Sequence, residues 1–232
     1  MPESQRGIKK EITTLLNSDD TDAVLADLAQ HPPEILFNAL FSGICSASAK
    51  TKWNAVAGMG VTVARLANQD MEAARIIMRR FMWSLNDESG GIGWGSPEAM
   101  GECLAVHAGL AREYTHILVA FMREDGFYLE LPLLQRGLMW AIVRLAKVQP
   151  ELLLKWRAPH YLVPYLDSED PAVRGQAAYA LGLLQTESAE QKIRQLADDP
   201  APFSLYRDNI LSTVTVGEIS KEALLLLVSA PS

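Results

Sequence analysis

The stretch DPAVRGQAAYALGLLQ, residues Asp170 to Gln185, is the clearest helix in the 232-residue chain. Asp170 and Pro171 mark its start. A proline at the first helical position loses no hydrogen bond, and an aspartate just before it accepts from the free amides of the first turn. Val173, Ala177, Ala178, Leu181 and Leu184 then recur at helical spacing. The alanines leave one side so slim that a second helix can approach closely. A helix with such a face needs neighbours.

Those neighbours are suggested by repetition. KWNAVAGMG from Lys52 aligns with RGQAAYALG from Arg174 without a gap, LQRGLMWAIVRLA aligns when Gln135 is placed on Arg174, and SPEAMGECLA aligns more loosely from Ser96. The implied period is about 40 residues, within the range of HEAT and armadillo units. With its D-P-x-V-R turn and A-x-A-L-G helix, the stretch resembles the second helix of a HEAT-like (PBS-lyase-type) repeat, and the chain resembles uncharacterised bacterial HEAT-repeat proteins. The resemblance implies an all-α, α-α superhelix (a right-handed HEAT/armadillo-like solenoid of about five helical hairpins). It also implies that Arg174 bonds acids in the inter-repeat turns, and it transfers no activity.

Composition agrees with a helical protein. Ala, Leu, Glu and Arg dominate the periodic segments, aromatics make up 7%, and β-branched runs are short. The net charge of −7 disfavours a default nucleic-acid partner, because phosphate binding draws on a basic face. No 18-residue apolar stretch occurs and the first residues are polar, so no membrane span or signal peptide is expected and the location expected is cytoplasmic. Cys45 and Cys103 form no CxxC and no disulfide framework, and both are expected to be reduced and at least partly buried.

Along the chain, helices are expected over 5–16, 21–30, 33–44 and about 47–68. Outer helices follow at about 71–85, 114–124, 160–166 and 187–198, each pairing with a small-residue helix. Near the end, Phe203–Tyr206 and Thr213–Val216 alternate around a turn at Asp208-Asn209, which reads as a small C-terminal β-hairpin, and Glu218–Val228 returns to helix. The whole of 1–232 is expected to be one repeat domain, with 1–46 an N-terminal cap, 47–199 the repeats and 200–232 the closing elements.

One segment breaks the pattern. Asn86 to Gly95 spans ten residues with four glycines and an indole, where a turn between repeats needs only a few residues. Two readings stand side by side: Ile92 and Trp94 plug the gap between repeats, or Asn86, Asp87, Glu88 and Trp94 line a partner site. Ser96-Pro97-Glu98 restarts the helix, with Ser96 as its cap and Glu98 near the positive end of the dipole. GGIGWG has no following Lys-Ser or Lys-Thr and follows no strand, so it is not a phosphate loop.

Other candidates are weaker. Cys103 and His107, four apart, would share a helix face and could hold a metal, but two ligands do not make a site even with Glu102 or His116 nearby. No nucleophile motif is present, so neither catalysis nor a cofactor is expected. Trp53, Trp140 and Tyr179 with Arg136, Arg144 and Arg174 form either an aromatic, basic groove on the concave face or a packed core with paired arginines. The reading favoured by these residues is a non-enzymatic scaffold that binds a protein partner of basic character. Its concave face and the 86–96 loop would supply the contacts, through Asn86, Asp87, Glu88, Trp94, Glu98, Trp140 and Arg144. Two enzyme readings remain beside it. One is similarity to HEAT-like DNA glycosylases, with Trp140, Asp87 and Arg144 as the matching residue types but without the basic charge such a groove needs. The other is similarity to bilin lyases, which extends to the repeat alone.

Overall fold

The computed structural model describes residues 5–86 and 93–228. In order, the helices are α1 (Gln5–Leu15), α2 (Thr21–Leu28), α3 (Pro33–Ile44), α4 (Ala49–Gln69), α5 (Met71–Asn86), α6 (Ser96–Val106) and α7 (Ala108–Ala120), then α8 (Pro132–Ala146), α9 (Pro150–Lys155), α10 (Ala158–Leu162), α11 (Pro171–Leu183), α12 (Glu190–Gln195) and α13 (Val216–Val228). Between α12 and α13 the strands β1 (Pro202–Arg207) and β2 (Ile210–Thr215) pair antiparallel. The chain divides into two compact units, residues 1–111 and 112–232.

In the first unit α4 is the central helix, packed against α2, α3, α5 and α6. Its small residues permit this: a side chain at Gly58 would meet Leu28 of α2 and Leu40 of α3. Ile12, Leu16, Leu40, Val56, Met59 and Phe81 are fully or almost fully buried in this unit. A polar tie fixes the N-terminal pair of helices to it. Buried Asn54 donates to the Leu16 and Ser18 carbonyls at 3.0 and 2.9 Å and accepts from the Thr21 hydroxyl at 2.8 Å, so the turn between α1 and α2 has its free backbone groups satisfied by α4.

The second unit is organised around α11, which packs against α8, α13, β1 and the 3₁₀ turn Val163–Asp167. Val173, Ala177, Ala178, Ala180 and Leu181 are fully buried, as the slim-face reading requires. The approach of α13 is closest at Gly182, where an added Cβ would lie 2.7 Å from the Ala223 carbonyl. At the hairpin, Asp208 and Asn209 take φ of 53° and 63°, two left-handed residues in a row, which match the twist of the flanking strands. Phe203 and Leu205 point inward from β1 and join Ala172, Val216 and Ile219 in one apolar cluster.

Several boundaries differ from the sequence reading. The helix expected over 114–124 is α7, which starts at Ala108 because the His107 imidazole accepts from the Leu110 amide through Nδ1 at 3.1 Å and serves as the cap. The helix expected over 160–166 is the short α10 followed by the 3₁₀ turn, each with a proline in its first turn. That expected over 187–198 is a 3₁₀ turn and the six-residue α12. α9 has no counterpart among the expected helices. Finally, α6 is entered through Gly95 at φ 74°, while Ser96 is its first residue and is buried without capping.

An Ala178→Glu substitution tests the α11 packing. The site is fully buried, so an unpaired carboxylate there should destabilise the protein by several kcal/mol, on the order of 3 or more. Thermal melting followed by circular dichroism should show the loss, and an unchanged melt would mean that the slim face is not the packed face.

Candidate functional site

The expected site residues fall in both units. In the first, Gly93 lies close to α5: an added Cβ there would be 2.8 Å from the Ser84 carbonyl on the last turn of that helix. Two residues on, Gly95 lies against α3: its left-handed φ and a virtual Cβ only 2.2 Å from the Ile44 carbonyl exclude any side chain. Between them, the Trp94 carbonyl accepts from the Cys45 thiol at 3.4 Å. The backbone of Trp94 is thus held from both sides, while the residue is 44% exposed. Asn86 is exposed at the end of α5, whereas Ile92, Asp87 and Glu88 lie outside the described residues.

Sequence reasoning passed over Trp83, which is 71% exposed one residue before the Ser84 contact. The signal was available: Ile76 and Trp83 are seven apart on α5 and lie off the buried stripe of Ala74, Ile77, Met78 and Phe81. Glu98 has a different role from the one expected of it. It is buried and receives the Lys52 ammonium at 2.6 Å, which ties α6 to α4 directly behind the Trp94 turn. Cys45, expected to be partly buried, is exposed as a residue, but its thiol end is tucked against Trp94. That desolvation pushes the thiol pKa up, with Lys52 opposing and Glu98 adding to it.

In the second unit the arginines are paired. Arg136 Nε donates to Asp170 Oδ2 at 2.6 Å, and the other oxygen of Asp170 accepts from the Ala172 and Val173 amides. One repeat further on, Arg174 Nε donates to Asp199 Oδ2 at 2.8 Å, while Asp199 also accepts from the Ala201 amide. The Arg174 bond, seconded by that amide, holds the Asp199 carboxyl below the ordinary aspartate range. Trp140 is buried and its indole N–H donates to the Tyr206 carbonyl at 2.8 Å, linking α8 to the hairpin. An indole used in this way is not an open stacking platform. Tyr179 is half-buried with Lys147 and Arg207 about its ring at 5.9 and 6.0 Å. Burial lowers the Lys147 pKa; Asp208 opposes this, whereas Arg207 and Arg144 add to it.

Metal chemistry does not assemble from the expected pair. Cys103 is buried with its thiol toward the Met59 carbonyl at 3.8 Å, whereas His107 is extended beyond the end of α6 and caps α7, so the two do not share a helix face. Among the described residues no cluster of three or more His, Cys, Asp or Glu could hold a metal. No described helix is long and apolar enough to cross a membrane.

No protein-family model and no curated protein matches the chain. Solved structures do. A designed armadillo repeat protein is similar over 94% of this chain and 98% of its own, with a TM-score of 0.51 and 18% identity. A second designed armadillo repeat protein, solved in complex with the peptide (KR)4, covers the same shares with a TM-score of 0.51 and 17% identity. An engineered protein from a structural genomics consortium covers 96% of each chain with a TM-score of 0.53 and 14% identity. The fold is therefore an all-α, HEAT/armadillo-like helical repeat carrying one β-hairpin.

Two measurements check these pairings. Lys52→Met strands a buried carboxylate at Glu98 and should cost about 3–5 kcal/mol in chemical denaturation, much of which Glu98→Gln in the same chain should restore. Asp199 has its pKa lowered by folding, so its stabilising contribution is complete above the ordinary aspartate value of 3.8 and is lost as pH falls below that value through the folded one. Asp199→Asn should lower the melting temperature at pH 7 and flatten its decline between about pH 4 and pH 2. A parallel decline in both proteins would remove Asp199 from the acid-sensitive set.

Proposed function

We propose that the protein is a non-enzymatic, cytoplasmic interaction scaffold that captures a basic peptide or helix of a protein partner, with Trp94 as the anchor. The observation carrying this reading is the combination at Trp94 of a backbone pinned by Gly95, Ile44 and Cys45 with a side chain 44% exposed. A large aromatic held in place and offered to solvent has little entropy left to lose on binding, which is the property of an interface hot spot. Trp83, just before the Ser84–Gly93 contact, extends the surface with a second exposed indole. The net charge of −7 and the two acids Asp87 and Glu88 in the adjoining segment favour a cationic partner. The designed neighbour solved with (KR)4 is consistent with such a partner on this fold.

Fluorescence anisotropy with a labelled (Lys-Arg)4 peptide at low ionic strength, where charges act over more than about 10 Å, tests the proposal directly. Binding should be saturable and absent for an acidic (Glu-Asp)4 control. Trp94→Ala should weaken it about 30-fold, equivalent to about 2 kcal/mol, with the melting temperature nearly unchanged, and Asp87→Asn with Glu88→Gln should weaken it further. Equal binding by wild type and Trp94→Ala, or a large fall in melting temperature for that variant, would overturn the assignment.

A further inference from the structure

Within residues 112–232, a cavity of about 680 Å³ opens among the connection that follows α7, the first turn of α8, and the α10 and 3₁₀ segment. Three tyrosines, Tyr128, Tyr161 and Tyr165, contribute to its lining, with His160 stacked edge-on to Tyr161. Two of these rings are held in place. Tyr165 is buried with its hydroxyl donating to the Met122 carbonyl at 3.3 Å, and the Tyr128 hydroxyl accepts from Gln135 Nε2 at 3.1 Å while the same nitrogen donates to the Leu129 carbonyl. Tyrosine faces fixed around a cavity offer negative π density to whatever enters.

The charges of the lining are unequal. Arg123 lies 5.2 Å over the Tyr161 ring and is held by both oxygens of Asp125 at 2.9 and 2.8 Å, so one tyrosine already carries a cation whose charge is matched. Asp167 is paired with Lys192 at 2.6 Å. Glu124, exposed at the rim of the cavity, has no ion-pair partner among the described residues. Burial, Tyr128 and then the Glu124 charge keep the Tyr165 phenol well above its ordinary pKa, so this ring stays neutral in any physiological buffer. An anion would be repelled by this carboxylate, whereas a cation gains a counter-charge at the rim that a neutral group of the same shape does not.

We propose that this cavity binds an alkylammonium group, with the rings of Tyr128 and Tyr165, which Arg123 does not cover, taking the cation and Glu124 supplying the counter-charge at the rim. The combination of fixed aromatic faces and one free carboxylate is the chemistry by which ammonium groups are held in preference to neutral groups of the same shape. The group could be carried by a small amine or by a lysine side chain of a protein, with or without methylation. The cavity is built from residues separate from those of the Trp94 surface, and either assignment can fail without the other.

The test is isothermal titration calorimetry of the full chain with choline, with its neutral carbon isostere 3,3-dimethyl-1-butanol, and with a short peptide bearing trimethyllysine, each to about 10 mM, where a millimolar site is largely filled. Choline or the peptide should bind saturably and at least about 10-fold more tightly than the neutral isostere. Equal affinities for choline and the peptide identify a small amine as a sufficient ligand, and binding of the peptide alone identifies a protein side chain. Glu124→Gln should weaken binding several-fold, and Tyr128→Leu, at a partly exposed ring, should weaken it at least as much, both with melting temperatures near that of wild type. Equal binding of the isostere, no heat from either cation, or unchanged affinity in a folded Glu124→Gln variant would overturn the proposal.

Discussion

A single carboxylate, that of Asp170, joins the two requirements of the C-terminal repeats. Through one oxygen it accepts from the first free amides of α11, and through the other it receives the guanidinium of Arg136 on α8. Capping and inter-helix registration are therefore one interaction: the charge that suits the positive end of α11 also sets how far along α8 that end can sit. The motif is reused one step later, where Asp199 takes Arg174 and the Ala201 amide. Beyond these anchors the packed side of α11 is slim: Ala177, Ala178 and Ala180 bring in α8 and α13 at short range, and Gln176 and Gln185 add hydrogen bonds to the Arg136 and Leu226 carbonyls.

The Trp94 turn solves the opposite problem, which is to hold a backbone firmly while leaving the side chain unused. Gly95 does this by sterics, since the Ile44 carbonyl occupies the volume of any Cβ. Behind it, the Lys52–Glu98 pair anchors the first turn of α6 to α4, and losing either partner would leave the other charge uncompensated at a largely buried site. The tyrosine cavity of the other unit is assembled on similar terms: hydrogen bonds from Gln135 and to Met122 hold the rings of Tyr128 and Tyr165 at its lining.

The repeat class could be read from the chain because its evidence is local and recurrent. Asp170-Pro171 announces a helix start, the alanine spacing announces a packed face, and Asp208-Asn209 announces the hairpin turn; in each case the residue's own conformational preference and the tertiary structure agree. The short helix α9 was out of reach, because six residues do not fill two turns and periodicity cannot register in them, and α10 was read only as part of a longer helix over 160–166. The start of α7 was missed for a chemical reason: the cap is an imidazole nitrogen rather than one of the usual short oxygen-bearing side chains. At the candidate site, sequence drew attention to Trp94 through the surrounding glycines. It could not show that Glu98 and Trp140 are committed to Lys52 and the Tyr206 carbonyl, since those partners lie 46 and 66 residues away. No spacing rule gathers Tyr128, Tyr161 and Tyr165 around one cavity.

The polar ties that join successive helices have a modest reach along the chain, 34 residues from Arg136 to Asp170 and 25 from Arg174 to Asp199. Couplings of that kind link each layer mainly to the next, with the Trp140–Tyr206 tie reaching past α11 to the hairpin, so cooperativity decays with distance along the repeats. Backbone amides at the middle of α11, shielded on several sides, should be the last in their unit to exchange with deuterated water, and those of the hairpin's outer strand, where Ile210 and Leu211 face solvent, among the first. Unfolding would then be graded rather than all-or-none, a chain of partial openings in which a binding surface could be lost before the fold that carries it.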